Sequence, residues 1–526
     1  MIRPLLRDLP HISGRPPKAA VRYDRTYTVR VGPAATPWSL QRVLTLCGTG
    51  FGLNYRQATT ISVLPDNVLL EMFFFYKETN GTLHLPWGWH LFAHICRRWR
   101  QVVFGSPVRL DLRIFCTSRT PVGKNLGIWP ALPILIDFNY YSNRRNSNTT
   151  SNEDNIITAL KHVDRVCDIR LSPTGSELEK ISTAMQEPFP VLTSLYIASD
   201  DGNAPVLPAE FLGGSAPCLR NINLSGIPFP AIPTLLLSTS DLVSLELYNI
   251  PQSGFISPEA MVVGLAALPR LKGFVMDFRS ATPPPYRHPP ATRTVLPALT
   301  NFLFQGASEY LEDLVSRIDV PQLNRIHISY LNQLTEFRVD QLPMFIYRSV
   351  GPKLTHSVYA QVSFFSDHVT FHVYRHPNDS SPEHHHAITT VLCQGIDWQV
   401  SHIAQVLSHM SATLSNVVHL KLDLEVNCQL EGTDDVEWLH FFDQFSTVKT
   451  LQVSYELAGH VALALEDIAW ETVAEVLPSL DLIYLAGQPV SSIEKFVAAR
   501  RLSDRPITVV ETQTAFDEKL GSYVSI

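Results

Sequence analysis

The amino-acid sequence predicts an α/β fold in which an N-terminal helical domain precedes an irregular solenoid, a curved parallel sheet with helices or loops on its outer face. Three observations predict it. Apolar residues make up 45% of the 526 residues, enough for a large core and too many for a disordered chain. A short apolar pattern recurs at near-regular spacing, and two amphipathic segments precede its first copy.

Composition excludes several functional classes. The chain has 42 Lys and Arg against 49 Asp and Glu, a formal net charge of −7, which argues against nucleic acid as the main partner. No apolar run approaches the ~20 residues that cross a bilayer, so we expect no membrane association. The seven cysteines form no closely spaced pair. They are typical of free thiols in a reducing compartment, and we expect the cytoplasm or nucleus.

The recurring pattern is Leu-x-x-Leu-x-Leu with conservative replacements. Seven consecutive copies begin 23 to 29 residues apart, at Val166, Leu192, Leu219, Leu242, Leu271, Leu299 and Leu323. Two more begin at Val417 and Val448. The alternation places the last two apolar residues of each copy on one face of a short strand.

The segments between copies supply the outer layer. Residues 308–318 carry Leu311, Leu314, Val315 and Ile318 on one face of a helix. A strand and a helix every 23 to 29 residues is the geometry of a leucine-rich repeat, here in degenerate form. The alternative is an ordinary α/β domain whose strands happen to be rich in leucine.

Two loops and one longer segment interrupt the array. Residues 139–155 are rich in Asn and residues 281–290 are rich in Pro, so both are predicted as loops. Residues 350–415 do not repeat, but residues 369–373 alternate as a strand. We therefore predict that this segment adds strands to the sheet.

Two helices are predicted before the repeats. The first follows Leu64-Pro65-Asp66 and has an apolar stripe of Val68, Leu69, Met72, Phe73 and Tyr76. The second runs from about Trp89 to Val103 and aligns Leu91, Ile95, Trp99 and Val102, with Arg97, Arg98 and Arg100 on its other side. Two short helices need a further surface to pack on. That surface is either the repeat array or a partner protein.

The residues of these helices resemble the F-box, in the F-box-like form found in mushroom-forming fungi. Leu64-Pro65 begins the first helix, and Trp89, His94, Cys96, Arg97, Arg98 and Trp99 stand in the places characteristic of the second. Asp66-Asn67 replaces the more usual Pro-Glu, and the closing element lacks its Trp. The resemblance extends from about residue 61 to 511, an F-box followed by a degenerate leucine-rich array.

The resemblance implies a function. F-box proteins bind a Skp-type adaptor and through it a cullin, and present a protein substrate to this ubiquitin ligase. It places Leu64, Pro65, Val68, Leu69, Ile95 and Trp99 at the adaptor. The alternative is a repeat scaffold whose F-box-like helices cap the solenoid and recruit no ligase.

The resulting domain organisation has seven parts. They are a basic, flexible tail (1–60), the F-box-like domain (61–110), a connecting segment (111–155), leucine-rich repeats (156–350), a His-rich insertion (351–415), C-terminal repeats (416–511) and a tail (512–526).

No enzymatic chemistry is predicted. Residues 48–52 are Gly-rich but lack the Lys-Ser/Thr and the preceding strand of a phosphate-binding loop. Nine of the 19 histidines lie between His356 and His409, including His384, His385 and His386 in one loop. His368 and His372 would stand ~13 Å apart on a strand, too far to share a metal ion. We therefore expect surface histidines and no catalytic residue, cofactor or metal.

The outward positions of the strands are the candidate target-binding site. Between each pair of inward apolar residues, one residue faces away from the core: Tyr196, Asn223, Glu246, Val275, Leu303 and His327. At ~4.8 Å between strands, these six would form a ladder of about 24 Å on the concave surface. The sequence predicts a protein or extended peptide target bound with weak salt dependence. The alternative is that other segments cover this face.

Overall fold

The computed structural model divides the chain into two compact units, Met1–Phe115 with Lys124–Leu132, and Cys116–Gly123 with Pro133–Ile526. We call them the helical unit and the repeat unit. The structure describes residues 64–80, 88–117, 122–128, 130–138, 153–200, 202, 204–280, 292–331, 340–349, 358–374, 387–392, 396–410, 414–424, 435–466, 475–486 and 493–512. The Asn-rich and Pro-rich loops and the two tails fall largely or wholly outside these residues.

The helical unit contains helices α1 (Asp66–Asn80), α2 (Gly88–Ile95) and α3 (Arg97–Gly105). The predicted second helix is therefore two helices. They separate at Cys96, whose backbone is extended (φ −156°, ψ 171°) and whose Sγ accepts a hydrogen bond from the Trp99 N–H. Cys96 thus occupies the N-cap position of α3. A further helix, α4 (Val122–Ile128), spans the boundary between the units.

Eighteen strands are found in the described residues. They are β1 (Ile114–Thr117), β2 (Ile134–Phe138), β3 (Val166–Leu171), β4 (Ser194–Ala198), β5 (Asn221–Ser225), β6 (Ser244–Ile250), β7 (Gly273–Phe278), β8 (Thr294–Val295), β9 (Asn301–Gly306), β10 (Ile318–Asp319), β11 (Arg325–Tyr330), β12 (Val358–Phe364), β13 (His368–Tyr374), β14 (Ala387–Leu392), β15 (Val417–Leu424), β16 (Thr450–Val453), β17 (Leu482–Ala486) and β18 (Thr508–Thr512).

Sixteen of these strands form one sheet in the order β1-β2-β3-β4-β5-β6-β7-β9-β11-β14-β13-β12-β15-β16-β17-β18. From β2 to β18, neighbouring strands are parallel except that β13 runs antiparallel to both β12 and β14. The short strands β8 and β10 pair separately. Each of the nine predicted copies of the pattern contributes a strand, so the protein has the parallel repeat sheet that the periodicity predicts.

The helices of the repeat unit connect successive strands. They are α5 (Glu153–Leu160), α6 (Gly175–Thr183), α7 (Ile232–Leu236), α8 (Pro258–Ala266), α9 (Ser308–Arg317), α10 (Gln341–Ser349), α11 (Ile396–Ser408), α12 (Asp435–Phe442), α13 (Tyr455–Glu466) and α14 (Glu494–Leu502). Where no α-helix forms, short 3₁₀ turns such as Phe211–Gly214 connect the strands. The variable connections explain the irregular repeat length.

The core lies on the face of the sheet that the helices cover. The last two apolar residues of each copy, such as Leu195 and Ile197 on β4, are almost completely buried. Phe274 and Phe302 stack between neighbouring strands with ring centroids 5.7 Å apart. Burial of these side chains is the main stabilising term of the array. Each repeat buries its apolar face only against its neighbours, which makes the repeats interdependent.

The turn before each strand adds a backbone ladder. The N–H of Val243 donates to the carbonyl of Arg220 (2.7 Å), and the N–H of Lys272 donates to Val243 (2.8 Å). The same bond joins Thr300 to Lys272 (2.9 Å) and Asn324 to Thr300 (2.8 Å). These bonds extend the register of the strands into the turns, so neighbouring repeats are held together beyond the strand ends.

The non-repeating segment carries three strands of the sheet. Strand β14 pairs with β11, β12 pairs with β15, and β13 lies between them. Because β13 is antiparallel to both neighbours, β12 and β14 keep the direction of the repeat strands. The insertion therefore continues the sheet.

Among the described residues, no helix is both long and apolar enough to cross a membrane.

The N-terminus of α10 is capped by a half-buried carboxylate. Glu312 on α9 accepts hydrogen bonds from the N–H groups of Gln341 (2.5 Å) and Leu342 (2.9 Å). Burial raises the pKa of Glu312 from 4.5 to about 7, against the opposing effect of these hydrogen bonds. The carboxyl group therefore titrates near neutral pH while it links one repeat to the next.

We predict that replacing Leu245 with Asp unfolds the repeats around β6. Leu245 is fully buried, so the substitution places an unpaired charge in the core and should cost roughly 3 kcal/mol or more. The control is Val263→Asp, at an exposed position of α8. Thermal melting followed by circular dichroism should show a large loss for Leu245→Asp alone. An unshifted melting curve would contradict the phase of the repeats.

We further predict that Glu312→Gln changes the pH dependence of stability. The folded chain binds the Glu312 proton more tightly than the unfolded chain, so this group's contribution to the free energy of unfolding is full below pH 4.5 and falls as the pH rises toward 7. Gln keeps an acceptor and does not titrate. We expect the melting temperature of the variant, relative to that of the wild type, to be higher at pH 8 than at pH 5. A constant difference would refute the raised pKa.

Candidate interaction surfaces

The six predicted ladder residues form one row on the sheet. Backbone register pairs Tyr196 with Asn223 and Asn223 with Glu246. It then pairs Glu246 with Val275, Val275 with Leu303 and Leu303 with His327. We call the face that carries this row the open face. The side chains are exposed at Tyr196 and half-buried at the other five positions, in contrast to the buried residues on either side of each.

The row continues from β2 to β18. Toward β2 it includes Arg170 and Asp137. Toward β18 the register positions are Ile388, His372, Gln361, Lys421, Gln452, Tyr484 and Val510. The outward row of the sequence analysis is therefore the central part of a longer one.

Most carboxylates on the open face are close to a basic side chain. Asp168 forms an ion pair with Arg170 (3.1 Å). Asp423 forms one with Lys421 (2.7 Å) and also accepts a hydrogen bond from Gln361 (2.8 Å). These charges are largely neutralised within the protein.

Two carboxylates on the central strands, Glu246 and Asp277, have neutral hydrogen-bond donors and no basic partner among the described residues. Glu246 accepts hydrogen bonds from the Asn223 amide (2.7 Å) and the Ser244 hydroxyl (2.9 Å), both neutral groups. Asp277 on β7 accepts one from the N–H of Asn249 (3.3 Å). Burial raises the pKa of Asp277, because its charged form is partly removed from water.

Tyr248 lies close to both carboxylates. Its pKa is raised by burial and further by the negative charges of Glu246 and Asp277. The next residue, Asn249, has a left-handed backbone (φ 51°) at a bulge between Leu247 and Ile250. The sequence analysis missed Tyr248 and Asp277, although the two-residue period places them on the same face as Glu246 and Val275.

His327 is the last of the six predicted ladder residues, and it is a neutral hydrogen-bonding group. Burial lowers its pKa, and its Nε2 lies 3.2 Å from the Ser329 hydroxyl. It therefore contributes a hydrogen-bonding group to the open face and no positive charge near neutral pH.

The helical unit has an aromatic core of its own. Phe73 on α1 stacks on Phe92 of α2 at 4.4 Å and contacts Trp99 of α3 at 4.8 Å between ring centroids. Leu69 and Trp99 are buried, whereas Val68 is not. The inward stripe of α1 is therefore Leu69, Leu70 and Phe73, which differs from the predicted stripe because these three helices pack against one another.

Arg98 joins α3 to the start of α1. Its Nη2 lies 2.6 Å from Asp66 Oδ1 and also donates to the carbonyl oxygen of Leu64. Arg100 Nε donates to the Ala93 carbonyl (2.8 Å). These arginines therefore hold the helices together, where the sequence analysis placed them on the free side of one helix.

Several apolar side chains of the helical unit face outward. Val68, Phe75 and Ile95 are 37%, 67% and 55% exposed. Of the six predicted adaptor-binding residues, Val68, Pro65 and Ile95 are exposed, Leu64 is half-buried, and Leu69 and Trp99 are in the core. Phe75 was missed, although it follows Val68 by seven residues on the same face of the helix.

The predicted histidine cluster is described only in part. His368 and His372 lie on β13 and His402 is buried in α11, whereas His356, His376 and His384–His386 lie outside the described residues. Within the described part of the chain, no group of three or more His, Cys, Asp or Glu side chains is arranged to hold a metal ion.

Comparison with protein-family models and with curated proteins gives no match. Among solved structures, the chain is similar to the leucine-rich repeat-containing protein LegL7 from Legionella pneumophila. The similarity has 13% identity over 75% of this chain and 99% of that chain, with a TM-score of 0.25. A similarity at this level carries no functional information, and the assignment of a repeat fold rests on the strand register above.

We predict that Trp99→Ala destabilises the helical unit by roughly 3 kcal/mol or more, because it removes the ring that contacts Phe73 and Phe92. Hydrogen–deuterium exchange of residues 64–105 measures the effect. Phe75→Ala, which removes an exposed ring from the same unit, is the matched control. Equal exchange rates in Trp99→Ala and the wild type would contradict the aromatic core.

Proposed function

We propose that the chain is a non-enzymatic substrate receptor of a Skp–cullin–F-box type ubiquitin ligase. In this proposal the helical unit docks a Skp-type adaptor, and the open face of the repeat unit binds a protein target. The observation that carries it is the outward apolar surface of the helical unit, at Val68, Phe75 and Ile95. The resemblance of the same helices to the F-box supports the choice of adaptor.

The exposed apolar residues support docking because they project outward from a unit that already has its own core. The unit already has a core around Phe73, Phe92 and Trp99, and Phe75 and Ile95 lie outside it. Val68 and Phe75 lie on the same face of α1, and exposed apolar patches commonly mark protein-interaction sites. Aromatic and aliphatic anchors of this kind dominate the binding energy of interfaces.

The open face supports target binding for a related reason. It presents side chains of mixed character across a long row of strands, including exposed Tyr196 and half-buried Leu303. Extended sheet faces of solenoid proteins are common binding surfaces for proteins and peptides. A protein target fits this mixture better than a small molecule, which needs an enclosed pocket.

A second function, a repeat scaffold without a ligase, is favoured by one observation. Trp99 and Arg98, which carry the resemblance, both have structural partners inside the helical unit, and Leu69 is buried there. The packing of the three helices is then sufficient to explain why these residues are present, without an adaptor. The two functions differ in one property, binding of the adaptor.

We predict that the full-length chain binds a purified Skp-type adaptor and that Ile95→Asp abolishes this binding without changing the melting temperature. A charge at an exposed anchor disrupts an apolar interface and leaves the core intact. Met344→Asp, the same change at an exposed apolar residue of α10, is the control and should bind normally. Isothermal titration calorimetry measures both.

The absence of adaptor binding by the wild-type chain would refute the ligase role and favour the scaffold. Binding that Ile95→Asp leaves unchanged would place the adaptor on another surface.

A further inference from the structure

We infer that the centre of the open face binds an extended segment of the target through a Lys or Arg side chain. This inference rests on the proposed function of the open face and specifies the chemistry of its partner. It follows from Glu246 and Asp277, two carboxylates on adjacent strands that have hydrogen-bond partners but no ion-pair partner among the described residues.

The first argument is charge. The outward positions of β4, β5, β6, β7 and β9 carry Glu246 and Asp277 and no Lys or Arg. Basic residues occur only at the ends of these strands, for example Lys272 before β7 and Arg279 after it, and the Arg279 guanidinium extends toward Gly202. The central open face is therefore negative, and the complementary partner is positive.

The second argument is the contrast with the other carboxylates of the same face. Asp168 is paired with Arg170 and Asp423 with Lys421. In the centre, by contrast, the hydrogen-bond donors to Glu246 and Asp277 among the described residues are all neutral. A buried or half-buried charge without a counter-charge is costly, and a cation from a partner removes that cost.

The third argument is hydrogen bonding. Asp277 Oδ1 and Asn223 Oδ1 are both buried and have no hydrogen-bond partner among the described residues. The Asn223 amide nitrogen must face Glu246, since a carboxylate only accepts, so the Asn223 oxygen is a free acceptor. Neither oxygen is exposed to solvent, so both add to the acceptor character around the two carboxylates without contacting a ligand directly. That character suits a ligand that only donates hydrogen bonds. Ammonium and guanidinium groups have that property.

The surrounding side chains suit the rest of such a segment. Tyr248 is half-buried and close enough to both carboxylates for their charges to raise its pKa, and an aromatic ring at such a site favours a cation. Val275 and Leu303, next along the row, offer apolar contact for neighbouring residues or for the aliphatic part of a Lys or Arg side chain. The sequence-based expectation of weak salt dependence considered Glu246 alone; with Asp277 included, we expect binding to weaken as salt increases.

The test is selection from a phage-displayed library of random twelve-residue peptides on the immobilised full-length protein. The wild type should enrich peptides that contain Lys or Arg. The double variant Glu246→Gln/Asp277→Asn keeps the shape of both side chains and should bind the selected peptides at least about tenfold more weakly, because charge-assisted hydrogen bonds are lost. Glu187→Gln/Glu210→Gln removes two exposed carboxylates outside the strands and should bind like the wild type.

Melting curves of both double variants establish that they are folded. Peptides enriched without Lys or Arg, and lost on Tyr196→Ala/Leu303→Ala, would overturn the inference and leave the open face as the target-binding surface. Equal binding to the wild type and to Glu246→Gln/Asp277→Asn, or the absence of any enriched peptide, would also overturn it. Adaptor binding through the helical unit is measured separately, so neither result decides the ligase role.

Discussion

The in-register pairing of parallel strands is the constraint on which both faces of the repeat unit depend. A two-residue period sends Leu245 and Leu247 to the helix-covered face and Glu246 and Tyr248 to the open face. A shift of one residue would exchange the two sets and place a carboxylate in the core. The buried leucines therefore determine which residues are available for binding, although they never contact a partner themselves.

The insertion keeps the strands that border the repeats parallel to them, because only its middle strand runs in the opposite direction. With β13 antiparallel to β12 and β14, both outer strands of the insertion run with the repeats. Strands β11 and β15 therefore each have a parallel neighbour in the insertion. The register shifts once, between Val358 and Tyr359 at the start of β12, and beyond that point Gln361 pairs with Lys421 and continues the row. An insertion with two strands would leave β15 antiparallel to its neighbour and interrupt the parallel sheet.

Sequence periodicity predicted the repeat strands because each buries the same two apolar positions. It missed β2 and β17 for different reasons. Leu480, Ile483 and Leu485 follow the pattern and were overlooked, whereas Pro133 replaces the first leucine of the copy at β2. The break at Cys96 could not be predicted from the apolar pattern, since a single extended residue decides it.

The candidate sites, too, were predictable only in part from the sequence. Alternation alone places Tyr196 to His327 in one row, and it also predicts the position of Asp277. The sequence of one strand does not show whether a carboxylate on that face has an ion-pair partner, because the partner can come from a neighbouring strand. In the helical unit, the resemblance to the F-box identified the residues, but only the packing separates Trp99 inside from Ile95 outside.

The central claim is that one chain joins a ligase adaptor to a protein target through two separate units. It is tested most directly by affinity purification of the full-length chain from eukaryotic cells, followed by mass spectrometry with and without proteasome inhibition. We predict recovery of a Skp-type adaptor and a cullin in both samples, with further proteins that increase when the proteasome is inhibited. Recovery of neither adaptor nor cullin would contradict the account.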